Sequence, residues 1–241
     1  MSGTAPAPII HIAGLRKQFS GLRPLRINAL SVSAGDRITL HGLDAEAAEM
    51  LTLLITGASL PDEGTVAVCG RDTRDIQTDT EWLTSLDVFG MVTTRAALMD
   101  SVALEGNMAL PFTLSIDPLL PEVRQAVESL AAEVGLSAEL LPAPVHKLGE
   151  AERARVHLAR ALALNPQVLL LEHPTARLTS DEADAFGRSL AGISERRRQA
   201  WLAISEDEAF AAAAGGRRCR LAPASGEITA VRRGWGLSRP W

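Results

Sequence analysis

Two five-residue apolar runs constrain this chain more than any other feature. VLLLE at 168–172 and WLAIS at 201–205 show no alternation of apolar and polar residues. A strand with one wet face alternates, whereas a strand covered on both faces does not. Between the two runs, TSDEADAFGRSLAGISERRR opens with Thr, Ser and Asp, which suit a helix cap, and continues with apolar residues at helical spacing. Strand, helix, strand in this order predicts a parallel α/β unit with a crossover helix on one face.

The first 40 residues read differently. IIHIAGL, LRINALSV and DRITLHG are strand-like and separated by the turns SGLRP and SAGD; TVAVCG follows the turn PDEG and reads as a further strand. Residues 91–162 are helix-rich (EVRQAVESLAAEVGL, ERARVHLARALAL) and punctuated by prolines at 111, 118, 121, 142 and 144. They predict a helical lobe inserted into a sheet domain made of 1–90 and 163–241. With 46% hydrophobic and 22% charged residues in 241, the chain has the composition of a globular domain.

Charge and cysteines exclude several functions. A net charge of −5 does not suit a nucleic-acid partner, and the short arginine runs GRRCR and VRRGWGLSRP read as solvated surface. Cys69 and Cys219 stand alone, with no CxxC spacing for zinc or a redox pair. MSGTAPAP has no basic region followed by an apolar stretch, and no run of about 18 apolar residues appears, so neither a signal peptide nor a membrane span is expected.

The order of these segments resembles the nucleotide-binding domain of ABC transporters along nearly the whole chain. IIHIAGLRKQF resembles that family's opening strand, and LRINALSVSAGDRITLHG the strand pair leading into its phosphate loop. LPDEGTVAVCGRD resembles the stretch after that loop's helix. RARVHLARALALNPQVLLLEHPTARLT, the most specific match, resembles the family pattern from signature helix through Walker B to D-loop. ALEGNMALPF resembles lipid- and lipoprotein-exporting subfamilies. The resemblance implies a P-loop NTPase-like α/β fold: a mostly parallel core sheet, an N-terminal antiparallel β subdomain and the inserted helical lobe.

Aligned without a gap, Gly42 opens the phosphate loop GxxxxGK[ST]. Such a loop turns backbone N–H groups onto the phosphates, its lysine reaches the β- and γ-phosphates, and its Ser/Thr hydroxyl ligates Mg²⁺. Here Ala45 and Ala47 take the inner glycine positions, Ala48 the lysine and Glu49 the hydroxyl, while Asp44 and Glu46 add charge. Alanines forced into left-handed backbone cost on the order of 1 kcal/mol each, and carboxylates repel a triphosphate. The resemblance places the Walker B acid at Glu172, the catalytic glutamate at His173, the Q-loop glutamine at Gly90 and the switch histidine at Glu206. LGEAE (Leu148, Gly149, Glu150, Ala151, Glu152) takes the signature position, and Arg177 falls in the D-loop.

Several of these residues have two readings. Glu49 and Glu172, on the two Mg²⁺-ligating positions, could form a cation site, or could face water or pair with an arginine. His173 could be a general base or a structural histidine at a strand end. Phe19 matches the aromatic that stacks on adenine, but a strand phenylalanine also packs. Arg153, Arg155 and Arg160 read as a solvated helix face; Arg177 is the better candidate for a contact across a dimer.

An intact framework around altered polar positions leads to one expectation. The chain is a catalytically inactive, non-enzymatic subunit holding neither ATP nor Mg²⁺ nor any other metal in its own site. It acts as a structural or regulatory partner, pairing with an active homologue or with itself under a transmembrane subunit, is cytoplasmic and peripheral on the inner face of the membrane through those partners, and binds no nucleic acid. The alternative is a divergent ATP-binding subunit that still binds and hydrolyses ATP with partner residues.

Overall fold

A computed structural model describes residues 7–93 and 95–231. The arginines of 232–240 therefore lie outside the described residues, as do 1–6 of the N-terminal segment. The first strands form a small antiparallel sheet in the order β2-β1-β4-β5, from β1 (Ile10–Lys17), β2 (Leu25–Val32), β4 (Glu63–Val68) and β5 (Arg71–Asp72). The large sheet runs β10-β9-β3-β8-β7-β6. Its strands are β3 (Arg37–His41), β6 (Phe89–Thr93), β7 (Val168–Glu172), β8 (Ala200–Ile204), β9 (Arg217–Ala222) and β10 (Glu227–Ala230). All its neighbours pair in parallel except β9 with β10.

The apolar runs behave as their pattern predicts. Val168 and Leu170 of β7 enter a core shared with the small sheet and helix α1 (Ala45–Ile55), while Leu169 and Leu171 enter a second core under the helices. In β8, Ala200, Leu202 and Ile204 face the first core; Trp201 and Ala203 face the second. A sheet covered on both faces needs apolar residues in both phases of the pleat.

Helices α3 (Leu104–Ala109), α4 (Pro121–Val134) and α5 (Glu150–Leu162) follow β6, and α6 (Ser180–Arg197) is the crossover between β7 and β8. Thr179 starts α6: its hydroxyl accepts from the Glu182 N–H while the Glu182 carboxylate accepts from the Thr179 N–H, a reciprocal cap. Two short elements complete the chain, α2 (Asp79–Leu86) and α7 (Glu208–Ala214).

Four strands escaped the sequence pattern: β5, β6, β9 and β10. Phe89–Thr93 is strand β6, not the start of a helical lobe, so the large sheet extends past residue 90. GRRCR is largely strand β9, in which Cys219 is buried between the half-buried Arg218 and the exposed Arg220, and Leu221 is buried beyond them. Arginines dilute the apolar signal in β9, and Gly90 dilutes it in β6.

Candidate functional site

In an open parallel sheet, ligands bind in the crevice beyond the carboxyl ends of the strands. Here β3, β8, β7 and β6 end side by side, with Leu40 in register with Ile204, Ile204 with Glu172, and Glu172 with Thr93. The residues just past those ends, Gly42, Ser205, Glu206 and His173, therefore meet at one rim, joined by the first turns of α1.

Gly42 leaves β3 at φ 97°. A Cβ there would come within 2.3 Å of the Leu221 carbonyl oxygen, so only glycine fits. The chain then enters helix at Ala45, capped by the Asp44 carboxylate, which accepts from the Ala47 N–H at 2.9 Å. Two expectations are corrected. Ala45 and Ala47 are helical, not left-handed, so the expected backbone strain is absent: the segment has wound into the helix. Ala48 is fully buried in the first core, so its side chain faces the protein interior and not the rim.

The acids at the rim each have a partner. The Glu206 carboxylate accepts from the Gly42 N–H and lies 3.6 Å from Arg220 Nη1. Glu46 lies 3.5 Å from the Ser20 hydroxyl, beside Phe19. Phe19 itself is half-buried against the first core, its ring lying over Gly21, which supports the packing reading. Glu49 and Glu172 do converge, on a residue that the sequence did not single out. Arg95 Nη1 donates to Glu49 at 2.5 Å and Nη2 to Glu172 at 2.6 Å. Arg95 Nε donates to the Thr93 hydroxyl at 3.3 Å, and that hydroxyl sits 3.5 Å from the other Glu172 oxygen.

Gly90 is not at the rim. It lies inside β6, where a Cβ would stand 2.1 Å from the Ala161 carbonyl oxygen and 2.7 Å from the Leu169 side chain, so close packing of β6 on α5 dictates glycine. The residue that β6 delivers opposite Glu172 is Thr93, three positions on. No sequence signal marked Thr93 or Arg95, since neither is apolar or part of a periodic pattern.

His173 follows β7 at φ 42°, and its N–H donates to the Ile204 carbonyl at 2.8 Å. Its Nε2 is buried with no hydrogen-bond partner among the described residues. Its backbone role is structural, joining β7 to β8.

Two of the remaining predicted residues, Glu150 and Arg177, line a cavity of about 200 Å³ between α5, the segment after β6 and the turn before α6, with Thr93, Arg153 and His157 also among its walls. Leu148 is buried, Gly149 is the N-cap of α5, and Glu150 and Glu152 occupy its first turn, where acids stabilise the helix dipole. Ala151 is half-buried beside them. Arg177 lies 4.0 Å from Glu150, both exposed. The solvated-face reading of the α5 arginines is corrected: Arg153 bonds the Leu148 carbonyl and Asp100, Arg155 the Gly135 carbonyl, and Arg160 the Ala97 carbonyl. Long guanidinium arms thus tie α5 to its flanking loops. Burial pushes the His157 pKa down to about 4, and the cations of Arg160, Arg153 and Arg177 push the same way, so this imidazole is neutral at pH 7.

The family model described as ABC transporter matches residues 25–176. The chain belongs to the ABC transporter family. Among its sequence relatives, the lipoprotein-releasing system ATP-binding protein LolD of Acinetobacter baylyi is 30% identical over 191 residues, covering 77% of this chain and 81% of the relative. The tungstate uptake system ATP-binding protein TupC of Peptoclostridium acidaminophilum is 27% identical over 196 residues, covering 81% and 86%. The fold is that of a dimeric ATP-binding cassette solved in a post-hydrolysis state with ADP and Pi. That structure has a TM-score of 0.74 and 20% identity, and the match covers 93% of this chain and all of the other.

Membership in the ABC transporter family overturns the expectation that the chain is not an enzyme. Its relatives are ATP-binding proteins by name, and its fold neighbour was caught after hydrolysis. The carboxylates expected to repel a triphosphate are partnered: Glu206 by the Gly42 N–H, Asp44 by the Ala47 N–H and Glu49 by Arg95. No helix among the described residues is long and apolar enough to cross a membrane.

Proposed function

We propose that this chain is the ATP-binding subunit of an ABC transporter, a divergent one that binds and hydrolyses ATP in a site completed by a second nucleotide-binding subunit. It works under a transmembrane partner, on the cytoplasmic face of the membrane. The observation that carries this reading is the rim itself: Gly42, Glu172, Thr93 and Glu206 stand at the carboxyl ends of four parallel strands in a cassette fold. The relatives named for uptake and release of different cargoes support the transport role without selecting a cargo.

The divergence lies in how the rim is held. Asp44, Glu46 and Glu49 stand in a loop that the resemblance would give no acid, and the lysine position is Ala48, buried in the core, so this chain contributes no loop lysine of its own. Phosphate contacts then fall to backbone N–H groups at the start of α1 and to the other subunit.

Purified from membranes with its partners, the chain should co-elute with a hydrophobic subunit, and nucleotide should raise its melting temperature. A ligand at 100 times its dissociation constant stabilises by about 2.7 kcal/mol. A complex that forms but shows neither a shift at millimolar nucleotide nor turnover would sink the reading.

A further inference from the structure

Nucleotide sites of this loop type hold Mg²⁺ between the loop hydroxyl and the Walker B acid. The residues here do not fit that ion. Both carboxylates in those positions, Glu49 and Glu172, already bind one guanidinium, at 2.5 and 2.6 Å. No group of three or more His, Cys, Asp or Glu side chains placed to hold a metal occurs among the described residues. Mg²⁺ demands near-octahedral oxygen ligands at about 2.0–2.1 Å, which a guanidinium wedged between the two carboxylates precludes.

We propose that Arg95 is a tethered cation that takes the place of the divalent metal between Glu49 and Glu172, closing this chain's site to free Mg²⁺ and making nucleotide binding there independent of it. Three features support a built position over an accidental surface pair. All three guanidinium nitrogens are engaged: Nη1 by Glu49, Nη2 by Glu172 and Nε by Thr93. The Arg95 N–H also donates to the Thr93 hydroxyl at 3.2 Å, fixing the backbone from which the side chain departs. Glu172 is only 7% exposed, and a carboxylate so buried requires a cation, which Arg95 supplies while remaining 38% exposed toward the crevice. A planar fork with fixed donors suits a bridge between two carboxylates better than an ammonium does. Its single positive charge leaves the pair with a net −1, so phosphates must rely on backbone donors and the second subunit.

Mn²⁺, followed by its free-ion spin-resonance signal, probes the site directly on the full chain without nucleotide. The wild-type chain should leave Mn²⁺ free at about 1 mM, the upper end of the dissociation constants of weak carboxylate sites for divalent cations. Arg95→Ala should bind one Mn²⁺ per chain, and Arg95→Ala/Glu172→Gln should lose it again. If Arg95→Ala does not fold, Arg95→Gln keeps the length and polarity without the charge and carries the same expectation. Wild-type binding that Glu172→Gln abolishes would overturn the proposal, as would a folded Arg95 variant that takes up no metal. In a second arm, which rests on the nucleotide-binding reading, ATP affinity of the wild type should change less than about twofold when EDTA replaces Mg²⁺, where every tenfold change is about 1.4 kcal/mol. The metal-alone arm needs no nucleotide, so the two readings fail separately.

Discussion

The sheet and the rim above it obey different rules. Behind the rim, β7 and β8 place every residue in one of two cores, and no polar side chain interrupts them before Glu172. At the rim, Asp44, Glu49, Glu172 and Glu206 are each met by a donor from another element or from its own helix end. In β7 and β8 the core is filled by apolar volume, and changes of size or polarity there disturb close packing. The rim tolerates changes of sign and size as long as donors and acceptors still balance.

Four experiments sharpen or break this contrast. The largest effect belongs to the sheet. Leu169→Ala, at a fully buried position under the helices, should cost about 2–5 kcal/mol in chemical denaturation. A loss below 1 kcal/mol would mean that the second core is loosely packed.

Gly42→Ala lies where sheet and rim meet. Its φ of 97° and the Leu221 carbonyl 2.3 Å from any Cβ predict a loss of about 1–3 kcal/mol, read as a lower denaturation midpoint. An unchanged midpoint would show that the turn relaxes freely.

Ala48→Lys tests which side of the contrast position 48 belongs to. As a core residue it should destabilise by roughly 1–3 kcal/mol, with no gain in nucleotide affinity. A stable variant that binds ATP at least tenfold tighter would return position 48 to the rim.

The smallest effect is electrostatic. Folding lowers the His157 pKa from 6.5 to about 4, so between these values the unfolded chain binds more protons than the native one. Stability therefore falls as pH drops through that window, by on the order of 1–2 kcal/mol between pH 7 and 5. Comparing pH-dependent melting of the wild type with His157→Gln isolates this contribution; parallel curves would refute it.

Much of the fold was legible in the sequence because patterning is local. The unbroken runs at 168–172 and 201–205, the Thr179 cap and the strands before residue 41 each announce themselves within a few residues. Where the signal was diluted, by the arginines of β9 or by Gly90 in β6, a strand passed unread. At the site, Glu49, Glu172 and Glu206 lie at the rim, whereas Gly90 lies inside β6, three residues before Thr93, and Ala48 is buried in the first core.

The sequence alone determined the central strand–helix–strand unit, the two-faced burial of its strands and the family to which the chain belongs. Only the tertiary structure decided that Arg95 lies between Glu49 and Glu172, residues 46 and 77 positions away from it. It also decided that Glu206 reaches Gly42 across 164. Periodicity reports how a residue sits on its own element. A charge pair depends on the register of several elements at once, and no local pattern carries that information.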